Sequence, residues 1–176
     1  MMRFLSLAML ATLLSCGTPE RKVPENPPQL SREERVDAAL DPMVERLCAA
    51  AGGQAVAILP FLKEGRDYEP AVSRYVGPRL AARLVGAGVH VLVREELDKI
   101  IDELELQLSA LFTDDGQRRL GRLAGADALV MGSVRDVGVT GYELDVKLVA
   151  VATGAVLTTA RATVMKADLP VGYGGL

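Results

Sequence analysis

Glu143 and Asp145 stand two residues apart in Tyr142–Val149, where Tyr142, Leu144, Val146 and Leu148 alternate with Glu143, Asp145 and Lys147. On a strand that period puts both carboxylates on one face, an arrangement from which general acid–base chemistry can be built. Lys147 shares the face, so the row reads as the solvated side of a half-buried strand rather than a catalytic pair. The single histidine, His90, lies in the apolar run Val89–Val93 with no Ser/Asp partner pattern around it. It is expected as a buried or edge histidine, not a base. Gly86-Ala87-Gly88 lacks the third glycine of a nucleotide loop and stands after a helical pattern and before a strand pattern. Phosphate-cradling turns need the reverse order, and the reading is a helix C-cap and turn. Arg118, Arg119 and Arg122 form a basic patch on a short predicted helix. A solvated helix face is the default; an acidic partner surface or lipid headgroups are the alternative, which makes the three arginines a candidate partner-binding patch. No catalytic residue, metal site, cofactor or small-molecule substrate is assigned.

The strongest chemical signal is at the N-terminus. Arg3 is followed by an uncharged run, Phe4–Leu14, and then by Ser15 and Cys16. A charged start, a short apolar stretch and a small residue before the cut define a secretory signal. The run is too short to span a bilayer, which takes roughly 20 residues. Leu13-Leu14-Ser15-Cys16 resembles a lipobox, the motif read by bacterial lipoprotein-processing enzymes; Leu13 and Ser15 fit well and Leu14 is a less typical occupant. The resemblance implies a diacylglyceryl thioether on Cys16, an acylated amine and a mature chain beginning there. Such acyl chains hold a protein on a membrane, at about 0.8 kcal/mol per buried CH₂. An ordinary secreted protein with a coincidental early cysteine is the alternative.

With residues 1–15 removed, roughly 160 remain, the size of one domain. The full chain carries a net charge of −3 and no tryptophan, a poor basis for nucleic-acid binding, which depends on cations neutralising phosphates. If Cys16 is acylated, Cys48 is alone and no disulfide framework exists. It follows Val44 and Leu47 on the apolar side of a predicted helix, where a thiol behaves as a small hydrophobe.

Residues 17–30 hold four prolines and balanced charges, a solvated tether reaching about 40–45 Å at roughly 3.1 Å per residue. The domain is expected over residues 31–166, with 167–176 as a glycine-rich, frayed tail. Ser31 and Glu34 make a capping-box pattern, opening a helix towards Ala51 that Pro42 should break or kink near Asp41. Gln54–Phe61 reads as a buried strand. A second helix ends near Gly86; Gly77-Pro78 interrupts its pattern, so its regular part is expected from Pro78. Val89–Val93 is another strand. Arg94–Leu108 is a helix with Leu97, Ile100, Ile101, Leu104 and Leu108 in one stripe. Asp114 with Gln117 opens a short helix to about Ala124. Asp127–Val134, Tyr142–Val149 and Ala155–Val164 are strands, the last two joined by a turn at Ala152-Thr153-Gly154. The fold class is therefore α/β (α+β): a single mixed sheet of about five strands, helices packed on one face, and an antiparallel C-terminal meander.

The ordered set of segments resembles the FlgO family of flagellar outer-membrane proteins, and more distantly CsgG, the curli secretion protein, and the N-terminal domain of TolB. Val56-Ala57-Ile58-Leu59-Pro60-Phe61 is similar to the family's opening strand. Leu80-Ala81-Ala82-Arg83-Leu84 and Val91-Leu92-Val93-Arg94 with Leu97 follow in order. Leu120-Gly121-Arg122-Leu123-Ala124-Gly125-Ala126-Asp127, Met131-Gly132-Ser133-Val134 and Leu148–Gly154 complete it. The resemblance implies an envelope lipoprotein without catalysis, acting by assembly, by binding other envelope proteins or by self-association. A related fold occurs in LpoB, an outer-membrane lipoprotein that activates a peptidoglycan synthase, but that role needs a longer tether than this one. A curli-type pore would need further membrane strands of about 9–11 residues each, and all the predicted strands are used by the domain. Gly17 lacks the aspartate that signals inner-membrane retention in some bacteria, which favours the outer membrane and its periplasmic face.

Natively expressed protein should carry a lipid-sized mass increase and partition with the outer membrane, and Cys16→Ala should lose both. Intact mass beside membrane fractionation checks this; a soluble, unmodified wild-type chain would leave only a secreted α/β domain.

Overall fold

A computed structural model describes residues 29–66, 68–92, 99 and 114–173. Helix α1 spans Arg32–Ala51 and opens on the capping box: the Glu34 N–H donates to Ser31 Oγ at 3.2 Å and the Ser31 N–H to Glu34 Oε2 at 2.6 Å. Those hydrogen bonds hold the Glu34 carboxyl below the usual carboxylate range. Strand β1 (Ala55–Ile58) and the two-residue β2 (Leu62–Lys63) follow, then α2 (Ala71–Gly86), β3 (His90–Val91), α3 (Asp114–Leu123), β4 (Ala128–Asp136), β5 (Gly141–Ala150), β6 (Val156–Met165) and a 3-10 turn at Lys166–Asp168.

The six strands form one mixed sheet in the order β3-β1-β4-β5-β6, with β2 also paired to β4. β1 is parallel to β3 and β4, and β2 to β4, while β4, β5 and β6 form the antiparallel meander. The predicted strand Gln54–Phe61 is thus shorter than expected. Pro60 has no N–H to give, so pairing to β4 stops and resumes at Leu62↔Ser133. Ser73 secures the joint: its hydroxyl accepts the Phe61 N–H at 3.0 Å and donates to Glu69 at 2.9 Å.

One face of the sheet packs on α1 and α2. Val36, Leu40, Met43 and Leu47 from α1, with Val72, Val76, Leu80 and Leu84 from α2, meet Val130, Val134, Tyr142, Leu144, Leu148 and Val164. Both helices contain an internal proline and neither breaks, contrary to expectation. Pro42 and Pro78 are exposed, so each ring lies on the solvent side of its helix. The buried stripes on either side hold the two halves in line, and tertiary packing overrides the local preference.

The sequence put every helix on one face, whereas α3 packs on the other. Leu120 is 0% exposed among Ala57, Leu59, Leu129, Met131, Val149 and Val151. Gly121 permits this approach: a Cβ there would lie 2.7 Å from Val151 Cγ2. The stripe of α3 was too short to reveal the second layer, since one buried leucine gives no period. The segment expected to fray is instead packed as far as Tyr173. Asp168 receives the Arg35 Nε–H at 2.7 Å, Leu169 is buried, and the Tyr173 ring lies 5.2 Å from that of Tyr75. The predicted helix Arg94–Leu108 lies outside the described residues, apart from Lys99.

Leu120→Ala should cost about 2–5 kcal/mol, the usual range for a buried leucine. Urea unfolding checks it; a cost below about 0.5 kcal/mol would mean α3 is not docked.

Candidate functional site

The second face of the sheet has two halves. One lies under α3 and is apolar. The other is polar and uncovered by any described element, because β4, β5 and β6 present Ser133, Arg135, Glu143, Asp145, Lys147, Thr159 and Arg161 there. The register aligns these side chains in rows: Ser133↔Asp145↔Arg161 and Met131↔Lys147↔Thr159. The carboxylates are spent within the rows. Asp145 accepts from Arg161 Nε at 2.6 Å, and Glu143 accepts from Arg135, with Arg161 Nε 3.6 Å away. Arg135 also lies 3.8 Å from Glu64. Glu143 and Asp145 raise the already high pKa of Arg135 and Arg161 by hydrogen bonding and charge. The result is a ladder of permanent guanidinium cations set against carboxylates. An open depression of about 680 Å³ lies over Ser133, Asp145, Lys147, Thr159 and Arg161, with Arg46 of α1 also in its lining. Sequence reading placed the carboxylates and missed both arginines, although the exposed alternation of β6 could have put Arg161 beside Asp145.

The remaining candidates fall in separate places. His90 is exposed on β3, the edge strand, and Gly86-Ala87-Gly88 ends α2, with Ala87 as C-cap and Gly88 at φ 86°. Cys48 is free and half-buried against the core, and that desolvation pushes its thiol above the ordinary value. Arg118, Arg119 and Arg122 share α3 with Leu123, which is 50% exposed. Arg118 lies against the β5–β6 turn, where a Cβ on Gly154 would come within 2.6 Å of its Nη1, and Asp115 is 3.6 Å from its Nη2. Arg119 and Arg122 are exposed and have no ion-pair partner among the described residues. No metal-ligand cluster, and no helix long and apolar enough to cross a membrane, occurs among the described residues. Leu13, Leu14, Ser15 and Cys16 lie outside them.

At the other end of the sheet Lys166 Nζ bridges both Asp136 oxygens at 2.8 and 2.9 Å and lies 4.9 Å from the centre of the Tyr142 ring. The lysine hydrogen bond holds the Asp136 carboxyl below the ordinary aspartate value, and burial pushes the Tyr142 hydroxyl up.

The family model described as "Curli production assembly/transport component CsgG" matches residues 54–143, just over half of the chain. Among solved structures, the LpoB C-terminal domain from Salmonella enterica superposes with a TM-score of 0.59 at 19% identity, covering 74% of this chain and 98% of that one. Its counterpart from Escherichia coli gives 0.58 at 20%, covering 73% and 97%. Lipoprotein GNA1162 from Neisseria meningitidis gives 0.54 at 19%, covering 68% and 86%. At these identities the likeness is one of fold. No curated protein matches the chain.

Because its folded pKa is depressed, Asp136 contributes stability above the ordinary aspartate pKa of about 3.9, and that contribution is lost as pH falls through the lowered value. Urea midpoints measured downward from pH 6 should fall less steeply below pH 4 in Asp136→Asn than in the wild type. Identical slopes would show that the Lys166 contact stabilises nothing.

Proposed function

The chain belongs to the CsgG family, and from that premise we propose that it is an outer-membrane lipoprotein on the periplasmic face, anchored through Cys16, with a non-catalytic assembly role in the cell envelope. The observation that carries the reading is the family match, which runs from the residue before β1 into β5. The site geometry agrees with it: the strand carboxylates are held in ion pairs with Arg135 and Arg161, and the described polar face is a surface suited to binding. The FlgO-like form of this role, associated with the flagellum, follows from the sequence resemblance.

A second reading, an accessory or regulator of a peptidoglycan-synthesis or secretion machine, is favoured by the fold likeness to LpoB. Against an LpoB-like role stands the tether over residues 17–30, which reaches only about 40–45 Å when extended. A pore-forming role finds no support in the described strands, all of which pair within one sheet.

A deletion strain complemented with wild type or Cys16→Ala separates these readings. The FlgO-like role predicts a smaller motility halo that wild type restores and Cys16→Ala does not, with cell-wall labelling by a fluorescent D-amino acid unchanged. Reduced labelling with normal motility would replace it with the regulator reading. No envelope change of either kind would overturn both.

A further inference from the structure

The fold has two poles, and the register separates them. Gln29–Leu30 lead into α1, whose first turn is tied to Asp168 just beyond β6 through Arg35. That pole also carries the end of β4, the start of β5 and the end of β6, since Asp136 pairs with Tyr142 and Gly141 with Met165. α1 then runs 20 residues to Ala51, about 30 Å at 1.5 Å per residue. At that opposite pole lie the start of β4, the end of β5, the turn at residues 152–154 and α3, because Ala128 pairs with Ala150 and Arg118 lies on Gly154. The basic patch therefore faces away from the end at which the tether enters.

The patch itself has the make-up of a docking surface. In a chain of net charge −3, three arginines occupy five consecutive positions of one helix. Arg122 stands in its last turn, where the helix dipole favours cations. Arg118 lies against bare glycine backbone at the turn, while Arg119 and Arg122 are exposed without an ion-pair partner among the described residues and Leu123 beside them is half in water. Arginine is among the residues enriched at interaction hot spots, and charge complementarity selects the partner.

We propose that this pole, Arg119, Arg122 and Leu123 with Arg118 seated on the turn, docks the acidic, amphipathic face of another protein. The proposal rests on the reading that the domain works by binding proteins. The probe is a fluorescein-labelled 20-residue helical peptide with glutamates on one face and leucines on the other, titrated by anisotropy against the full lipidated chain in neutral detergent micelles. Binding should weaken at least tenfold in the double variant Arg119→Glu/Arg122→Glu. It should stay within twofold of wild type in Arg32→Glu/Arg66→Glu, an equal charge change at the tether pole. Circular dichroism confirms that both variants fold. Equal weakening by both doubles, or by neither, would overturn the proposal. So would displacement of the peptide by monomeric short-chain phosphatidylglycerol at comparable concentration, which would make lipid headgroups the occupant. The far-pole double should keep its lipid mass and outer-membrane partition, so failure of the docking surface leaves the anchoring role standing, and loss of anchoring in the wild type leaves the docking result standing.

Discussion

β4 and β5 pair along the whole of β4, from Ala128↔Ala150 to Asp136↔Tyr142, and at Gly132 they leave no room for a side chain, since a Cβ would meet the Asp145 carbonyl oxygen at 2.3 Å. That register sets everything else. Side chains alternate across a strand, so a slip of one residue would bring Glu143, Asp145 and Lys147 under α1 and α2 and expel Tyr142, Leu144, Val146 and Leu148. The same alignment brings Asp145 opposite Arg161, so the charged face closes in pairs when the apolar face closes on its helices. One pairing serves the core and the surface together.

Where the sequence carried a strong period, it was sufficient. The alternation of β5 and the capping box of α1 could be read directly because each is a local pattern with a single physical interpretation. Pro42, Pro78 and the side on which α3 packs were misjudged for one reason. Each depends on what lies across the sheet, and a window along the chain does not contain that neighbour. The tail was a similar case: glycine content suggested a loose end, while Leu169 joins the main core and the Tyr173 ring meets that of Tyr75 on α2, far earlier in the chain. Pro60 was legible as a residue but not as a joint, because the second strand it creates is only two residues long.

The candidate site was legible in kind and not in arrangement. Residue types placed the strand carboxylates on one face, but not their partners Arg135 and Arg161, which lie one strand away on either side of β5. The arginines of α3 could be grouped on one face from spacing alone. That Arg118 is seated on Gly154 while Arg119 and Arg122 have no ion-pair partner among the described residues follows only from the position of the β5–β6 turn. The poles of the domain were invisible in the sequence, since they arise from the direction of α1 along β6.

Cys48 brings a consequence of its own. Its thiol is half-buried, is pushed towards the protonated form, and has no second described cysteine to meet. Thiol–disulfide exchange proceeds through the thiolate, so this side chain is a slow partner for oxidants and for mixed disulfides. No disulfide joins the described residues, so the described fold does not depend on the redox poise around it: it leaves no pairing for an isomerase to correct, and it should withstand reductants that would dismantle a disulfide-stapled protein of the same size.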